Sequence, residues 1–390
     1  MADHHLAEYL ERIERLAPLV REHAGETERG AQLAPAIVDA LHDTGLFRIF
    51  LPERLGGGEL TLPESLLVYE AMARIDASTG WNLAICSGGP LLGHFASREV
   101  FEEIFADPRA VCCGTLNPVT TQVTRCDGGW RFTGRATYVS GSAQATWINV
   151  AGLVLRDGSP QFEGGVPVVR SGLFPLAKHC RILDTWKTTG MRGTGSNDCT
   201  FEEVFVPDAF TYEWPDPRSS WQRGPFANIP LVTQLGGSLA AVALGAARHA
   251  IDTLMELAGV KVPAGTRATM RERPLAQMQL AQAEGWLQAG RAYLFQSAAD
   301  VWRRGEAALP FDASARAAAR LGSVTAAKLA AMATDVVHDA AGMSAVQTTC
   351  DLERCWRDVH TITQHVVLSA GRYEVVGRIM LGLDPGAPII

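Results

Sequence analysis

The stretch Asp127-Gly128-Gly129-Trp130-Arg131-Phe132-Thr133-Gly134 decides the fold class of this chain of 390 residues. Two further runs follow it closely, at residues 136–139 and 147–150, and both are rich in β-branched and aromatic residues. Short runs of this composition, separated by Gly and Asp-Gly turns, predict closely spaced β-strands. Regular spacing of this kind is typical of a sandwich or barrel. We therefore predict a central β domain over residues 111–222.

Both flanks of this β segment carry helical periodicity. Upstream, apolar residues recur every three to four positions, which predicts an N-terminal α-helical domain over residues 1–110. Downstream, residues 223–390 are dense in alanine and predict a C-terminal four-helix bundle. Its four long helices are expected at about 238–257, 274–304, 314–341 and 352–370. The predicted fold class is therefore α+β, with helices, strands and helices in that order.

Composition and charge exclude several classes of protein. With 47% hydrophobic and 20% charged residues the chain is globular. Its net charge is −7 and it has no run rich in Lys or Arg, which argues against nucleic acids and anionic membranes as partners. The apolar stretch 229–247 is interrupted by polar and Gly residues, so it predicts a buried helix preceded by a loop, not a membrane span. Without a signal-peptide pattern, we expect a cytoplasmic protein with reduced cysteines and no bound metal.

No phosphate-binding loop, dinucleotide fingerprint or serine-hydrolase elbow is evident. Three polar residues instead stand out in apolar surroundings. His94 lies at the end of the Gly-rich apolar run 88–94, Ser140 terminates the strand 136–139, and His365 falls on the last predicted helix. A single buried histidine is more often a hydrogen-bonded residue of the core than a functional one. The three residues gain functional interest only if the fold brings them to one cleft.

A series of motifs, in order along nearly the whole chain, resembles the acyl-CoA dehydrogenase superfamily. The motifs are Leu51-Pro52-Glu53-Arg54-Leu55-Gly56-Gly57, Ala77-Ser78-Thr79-Gly80-Trp81, the stretch 127–134, Ser140-Gly141-Ser142, residues 186–196 (Trp-Lys-Thr-Thr-Gly-Met-Arg-Gly-Thr-Gly-Ser), Val204-Phe205-Val206-Pro207 and Arg357-Asp358. This resemblance implies a flavin held between the β domain and the C-terminal bundle, usually in a homotetramer. The alanine-dense helix 314–341 also predicts an oligomer, because one protomer would not cover its apolar face.

The resemblance points to one branch of the superfamily. The dehydrogenases commonly place a glutamate base eight residues after the aspartate of the Arg-Asp motif, and that position is Val366 here. The alternative glutamate at the start of the bundle is also missing, since residues 233–236 read Thr-Gln-Leu-Gly. His365 instead matches the histidine of the flavin-dependent monooxygenases, the branch of 4-hydroxyphenylacetate hydroxylases, dibenzothiophene monooxygenases and amino-sugar N-oxygenases.

That branch implies a two-component oxygenase. Reduced flavin, FMN or FAD, would come from a separate NAD(P)H-dependent flavin reductase and react with O2 to a C4a-hydroperoxide. The hydroperoxide would then hydroxylate, or oxygenate at N or S, a small aromatic or polycyclic substrate. As catalytic residues, Ser140 would accept from flavin N5–H, His365 would manage the proton of the peroxide, and His94 would accept a proton from the substrate.

The resemblance also implies binding residues. The flavin would be bound by Asn117, Tyr138, Ser140, Trp186, Thr188, Thr189, Arg192 and Ser196. The substrate would be bound by Leu91, His94, Phe95 and Phe226, with Trp221 nearby. Residues 271–276 lack the Phe-Gly with which the dehydrogenases bind the adenosine end of FAD, which favours a flavin that arrives reduced and leaves oxidised. Two alternatives stay open: a dehydrogenase acting on a carrier-bound thioester, and a non-catalytic protein of this fold.

Overall fold

The computed structural model describes residues 2–213 and 220–386, and its first part is helical as predicted. The helices are α1 (Ala2–Gly30), α2 (Pro35–Asp43), α3 (Leu62–Ala73), α4 (Ala77–Ser87), α5 (Gly89–Gly93) and α6 (Arg98–Ala106). Side-chain caps fix where three of them begin: Thr61 and Glu64 form a capping box on α3, Asp76 accepts the amide of Thr79 on α4, and Ser97 accepts the amide of Val100 on α6. Gly88 separates α4 from α5, and His94 caps the end of α5.

The middle of the chain forms a mixed sheet. Its strands are β1 (Cys112–Thr115), β2 (Thr121–Cys126), β3 (Gly129–Val139), β4 (Trp147–Arg156), β5 (Ser159–Pro160), β8 (Val169–Pro175), β9 (Arg181–Leu183), β10 (Asn197–Pro207) and β11 (Thr211–Glu213). The order is β11-β8-β4-β2-β3-β10-β9, with β1 and β5 also paired to β4. A separate hairpin joins β6 (Phe162–Glu163) to β7 (Val166–Pro167), and α7 (Leu176–His179) precedes β9. Sequence reasoning predicted this segment as a sandwich or barrel. Within the described residues, nine strands are paired into one mixed sheet, in which β1 and β2 both pair in parallel with β4.

Helices resume after the sheet. They are α8 (Pro225–Asn228), α9 (Leu231–Val260), α10 (Pro274–Glu306), α11 (Ala313–Ala341), α12 (Asp351–Ile362) and α13 (Arg372–Met380). The alanines of α11 that were expected to face a second subunit are mostly buried within the protomer, among them Ala326, Ala330 and Ala333. Small side chains let α11 approach α9 and α10 closely. The alanine-dense face therefore does not call for a partner chain.

Helix α9 is long and apolar enough to cross a membrane by composition alone. However, 78% of its most apolar window is buried inside the protein, and it packs against α3, α4, α11 and α12. It is the core helix of the bundle, as the interrupted apolar pattern predicted. It begins seven residues earlier than expected, at Leu231.

The last predicted helix is shorter than expected, and this changes the setting of His365. Helix α12 ends at Ile362, so His365 lies in a turn and not on a helix. The hydroxyls of Thr361 and Thr363 bond to the carbonyls of the preceding turn, at 2.8 Å each. Such side-chain bonds compete with the helical pattern, and the chain tightens into i→i−3 bonds as the helix ends.

Candidate active site

The loop 186–196 between β9 and β10 is fastened to the bundle by the Arg-Asp motif of α12. The Met191 amide donates to the Asp358 carboxylate at 2.5 Å, and Met191 has a left-handed backbone (φ 54°). Gly190 passes so close to α12 that an added Cβ would lie 2.2 Å from the Arg357 carbonyl oxygen. Burial raises the pKa of Asp358 to about 7, and the Met191 amide opposes that shift. The motif thus fixes the loop by a buried carboxylate and a required glycine.

Arg357 connects three parts of the chain at this point. Its guanidinium forms ion pairs with Glu353 on its own helix at 2.5 Å and with Glu28 on α1 at 2.8 Å. It also donates to the Thr189 carbonyl of the loop. A half-buried arginine with two carboxylates orders all three elements more firmly than an isolated surface pair could.

A chain of hydrogen bonds runs through Ser140 and has one direction. The Trp81 indole N–H donates to Ser140 at 3.0 Å; Ser140 and Ser196 are 2.7 Å apart, as are Ser196 and Thr194. Thr194 donates to the Met191 carbonyl at 2.7 Å. Because a carbonyl can only accept, all four bonds form only if every hydroxyl donates towards Met191. Ser140 is then left with an acceptor lone pair and no hydrogen to give.

His365 lies beside the start of this chain. Its ring is 5.5 Å from the ring of Trp81, edge to face. The Val367 amide donates to Nδ1 at 3.4 Å, so in the neutral imidazole the hydrogen is on Nε2. Burial, helped by the nearby Arg320 guanidinium, lowers the pKa of His365 to about 4. Arg320 also donates to the Val367 carbonyl at 2.9 Å and so holds the turn. His365 is therefore a neutral hydrogen-bond donor.

His94 occupies a different, apolar environment. Its side chain is buried, its ring lies 4.2 Å from the ring of Phe95, and Phe95 stacks at 5.6 Å on Tyr212. Its Nδ1 is 2.8 Å from the hydroxyl of Ser220. Burial lowers the pKa of His94 to about 4 as well. At neutral pH both histidines are uncharged, and among residues 2–213 and 220–386 Nε2 of each ring makes no hydrogen bond.

A groove of about 910 Å³ opens beside the loop. Thr188 and Thr189 form one side of it, and α12 contributes Trp356, Arg357 and His360. The rings of Trp356 and His360 are 4.6 Å apart. The groove therefore joins two of the predicted flavin residues to an aromatic wall and a cation.

The other residues predicted to bind the flavin differ in exposure and in hydrogen bonding. Trp186 is half-buried and donates to the Met191 carbonyl at 2.9 Å, and the exposed ring of Tyr138 meets it edge to face at 6.4 Å. Arg192 is engaged with the carbonyls of Glu28 and Thr188, so it anchors α1 to the loop. Asn117 caps an exposed turn after β1 by accepting from the Val119 amide.

Of the predicted substrate residues, Leu91 and Phe226 belong to the main core, with Leu91 buried and Phe226 partly buried. Phe226 packs between Phe50 and Trp302, with 5.0 Å between ring centroids in each case. The partly buried Phe95 packs against a second apolar cluster that also contains Trp221. The indole N–H of Trp221 is buried without a hydrogen-bond partner among the described residues. The geometry thus places His94 beside Phe95, whereas Leu91 and Phe226 belong to the main core.

Comparison with known proteins decides the family. Residues 10–106 match the family Acyl-CoA dehydrogenase, N-terminal domain, and residues 238–370 match Acyl-CoA dehydrogenase, C-terminal domain. The chain is 29% identical over 376 residues to an indole-3-acetate monooxygenase from Pseudomonas putida (96% of this chain, 94% of that protein). It is 30% identical over 392 residues to the flavin-dependent monooxygenase oxygenase subunit HsaA from Rhodococcus jostii (strain RHA1), covering 96% and 98% of the two chains. It belongs to the flavin-dependent monooxygenase branch of the acyl-CoA dehydrogenase superfamily.

A solved structure of this branch confirms the fold of the monooxygenase. The crystal structure of 3-HSA hydroxylase from Rhodococcus sp. RHA1 superposes with a TM-score of 0.90 at 26% identity, covering 98% of this chain and 99% of that chain. The predicted fold class, family and flavin dependence are therefore confirmed. The assignment of individual site residues stays a prediction.

The residues present fit a flavin. The monooxygenase has a groove next to Thr188 and Thr189, an aromatic pair with one exposed ring (Tyr138, 71% exposed), and a hydroxyl at Ser140 that can only accept. A planar apolar ring system with polar edges matches these features, since stacking and a few placed hydrogen bonds are what cofactor sites supply. No carboxylate stands at Val366 or at residues 233–236, so the dehydrogenase alternative is not favoured.

Two residues of the site escaped sequence reasoning. Trp81 was quoted only as part of a family motif, yet its indole connects Ser140 with His365. Ser220 carries no motif at all and lies 126 positions from His94. No sequence signal pointed to the second, because the Ser220-Trp221-Gln222 run matches no motif or spacing.

Proposed function

We propose that this protein is the oxygenase component of a two-component monooxygenase that takes reduced flavin from a separate NAD(P)H-dependent reductase. The observation that carries the proposal is the direction of the hydrogen-bond chain through Ser140. A reduced flavin has a hydrogen on N5, and an oxidised flavin has a lone pair there. A hydroxyl that can only accept therefore favours the reduced form, whereas a lone pair opposite a lone pair is repulsive.

The residues of the chain have separate tasks in this proposal. The bound flavin supplies the electrons and the position at which O2 is activated. Ser140 retains the N5 hydrogen, the apolar surroundings exclude water, and Nε2–H of His365 donates towards the oxygen that must leave with a proton. His94 accepts a hydrogen bond from the substrate, an aromatic molecule. The low pKa of both histidines keeps these donor and acceptor roles unchanged across neutral pH.

Either FMN or FAD fits the proposal, because the chain lacks the Phe-Gly motif after Arg271. We further propose a cytoplasmic homotetramer. Exposed apolar side chains near the end of α9 and the start of α10, among them Met255, Leu275 and Met278, support an oligomer. Sedimentation at micromolar concentration tests this: a monomer would contradict it.

The function is tested by supplying photoreduced flavin and air, without a reductase, and then repeating the reaction with a flavin reductase and NADH. A panel of phenols, indoles and amines serves as substrate, under an atmosphere of labelled O2. We expect one atom of label in the product in both systems, and tighter anaerobic binding of reduced than of oxidised flavin. A product that contains no labelled oxygen would contradict the proposed oxygenase function. Electron uptake from an acyl-CoA would support the dehydrogenase instead.

A further inference from the structure

His94 is the first member of a short hydrogen-bond chain that also ends on a carbonyl. Its Nδ1 is 2.8 Å from the Ser220 hydroxyl, and that hydroxyl donates to the Gln222 carbonyl at 3.0 Å. A serine has one hydroxyl hydrogen, and a carbonyl cannot donate. Both bonds form together only when Nδ1 carries the hydrogen and Ser220 accepts it.

This arrangement assigns the tautomer of His94. A neutral imidazole carries a single ring hydrogen, so with Nδ1 protonated the other nitrogen, Nε2, is a bare acceptor. Within residues 2–213 and 220–386, Nε2 makes no hydrogen bond, although only 1% of His94 is exposed. Nε2 is therefore suited to a hydrogen-bond donor on a ligand.

We propose that Ser220 is a positioning residue that holds Nε2 of His94 as an acceptor, and that the site consequently selects aromatic substrates with an O–H or N–H group over their sulfur analogues. The inference rests on the proposed function in one respect, namely that His94 faces the substrate. A phenol or an indole satisfies Nε2. A thiophene sulfur has no hydrogen and would leave two acceptors facing one another, as in other sites that reject an analogue without the expected donor.

The same geometry specifies what happens to the proton. The low pKa of His94 makes it a weak base, so the resting substrate keeps its hydrogen in the bond to Nε2. When the aromatic ring gives an electron pair to the oxygen that a bound reduced flavin and O2 would supply, a C–O bond forms and the O–O bond breaks, its electron pair leaving on the oxygen towards which His365 donates. The O–H or N–H bond of the substrate then becomes more acidic. The proton then moves to Nε2, and the electron pair of that bond returns to the ring. Ser220 remains hydrogen-bonded to Nδ1 throughout and stabilises the cationic ring.

Binding of indole and benzothiophene tests the proposal without turnover. The two bicyclic molecules have similar shapes, but indole carries an N–H group where benzothiophene carries a sulfur atom. Anaerobic equilibrium dialysis of the full-length protein would compare wild type, Ser220→Ala and Ser220→Thr. We expect wild type to bind indole about tenfold more tightly than benzothiophene, because one net hydrogen bond contributes about that factor to affinity. Ser220→Ala should lose that preference, and Ser220→Thr should keep it.

A thermal melt of the three proteins serves as the control for folding, and the affinity for benzothiophene should not fall when Ser220 is replaced, because that ligand receives no hydrogen bond from Nε2. A wild type with no preference, or a Ser220→Ala variant that retains it, would overturn the inference. Failure of the proposed function looks different: indole would be preferred, but labelled oxygen would not enter any product. The conservative variant adds an independent readout. A merely structural role of Ser220 would let Ser220→Ala and Ser220→Thr fail alike, whereas a positioning role predicts that only Ser220→Thr keeps the indole preference.

Discussion

Two buried hydrogen-bond chains, one through Ser140 and one through His94, follow the same rule in different parts of the fold. Each ends on a backbone carbonyl, Met191 in the first and Gln222 in the second, and that carbonyl fixes the direction of every hydrogen before it. Each leaves an acceptor at its other end. They differ in origin: the first lies within family motifs, and the second depends on a serine far from any motif.

His365 completes the comparison because it is the opposite of His94. A backbone amide bonds to its Nδ1, so Nε2 carries the hydrogen and donates, whereas Nε2 of His94 accepts. Both side chains are neutral for the same reason, burial, yet their partners give them opposite roles. The residue type alone therefore does not assign the proton. Substitutions of the two histidines and of their hydrogen-bond partners test whether these opposite roles are real.

Removal of the donor at His365 should have the largest effect. His365→Ala should slow product formation by about 10²–10⁴, the usual cost of a lost acid–base group. The yield of product per reduced flavin should fall with it, and the missing turnover should appear as hydrogen peroxide. Product and peroxide are measured in one sample, together with a thermal melt.

Val366→Ala is the matched control for this variant. It changes the neighbouring side chain, which is 50% exposed and has no proton to give, and should leave the yield unchanged. If the yield of product per reduced flavin is the same in His365→Ala as in wild type, His365 is only a structural residue. Equal losses of melting temperature and activity would point the same way.

Two substitutions separate the role of the acceptor Nε2 of His94 from that of Nδ1, which bonds to Ser220. His94→Asn keeps an amide near the position of Nδ1 but has no atom at Nε2, whereas His94→Gln reaches that position. We expect His94→Asn to lower kcat on a phenol by about 10²-fold and His94→Gln to lower it less. Rates on a phenol and on its sulfur analogue are compared, and equal losses on both would show that His94 only fills space.

The direction of the Ser140 chain can be reversed at Thr194. Thr194→Val removes the hydroxyl that accepts from Ser196, so the Ser196 hydroxyl can turn and donate to Ser140 instead. The hydroxyl hydrogen of Ser140 is then free to donate to N5 of an oxidised flavin. The preference for reduced over oxidised flavin should then fall by about five- to tenfold, the value of one hydrogen bond. Anaerobic titrations in both redox states measure it. Thr194→Ser retains the hydroxyl and should behave as wild type.

The smallest effect concerns pH and stability. Burial lowers the pKa of His94 to about 4, below its ordinary 6.5. Above pH 6.5 neither the folded nor the unfolded state binds this proton. Between pH 6.5 and 4 only the unfolded chain does, so the stability that neutral His94 preserves is lost as the pH falls. His94→Gln should reduce the acid-induced decrease in melting temperature by roughly 2–5 °C.

His23→Gln provides the control, because His23 is a partly exposed residue beside Glu26 on α1. The relevant measurement is the slope of melting temperature against pH, not its absolute value, since any core substitution lowers the latter. Parallel slopes for wild type and His94→Gln would mean that His94 titrates at the same pH in the folded and unfolded chains. Burial would then not lower its pKa.

Much of the candidate site was accessible from sequence. Periodicity and turn chemistry predicted the order of helices and strands, and the missing glutamate at Val366 separated the oxygenase from the dehydrogenases. These features depend on residues close together in the chain or on ordered motifs. The end of α12 was missed because the hydroxyls of Thr361 and Thr363 compete with the helix locally, and apolar periodicity does not register such bonds.

The sequence by itself determined which chemical groups are present: two histidines, a serine at the end of a strand, and no carboxylate base. Tertiary structure alone decided how their hydrogens are arranged. Ser140 accepts because the loop 186–196 returns a carbonyl to it through two hydroxyls, and His94 accepts because Ser220 is folded against Nδ1. A hydrogen bond has a direction, and that direction depends on partners brought together across 126 positions of chain, which no local pattern of residues encodes.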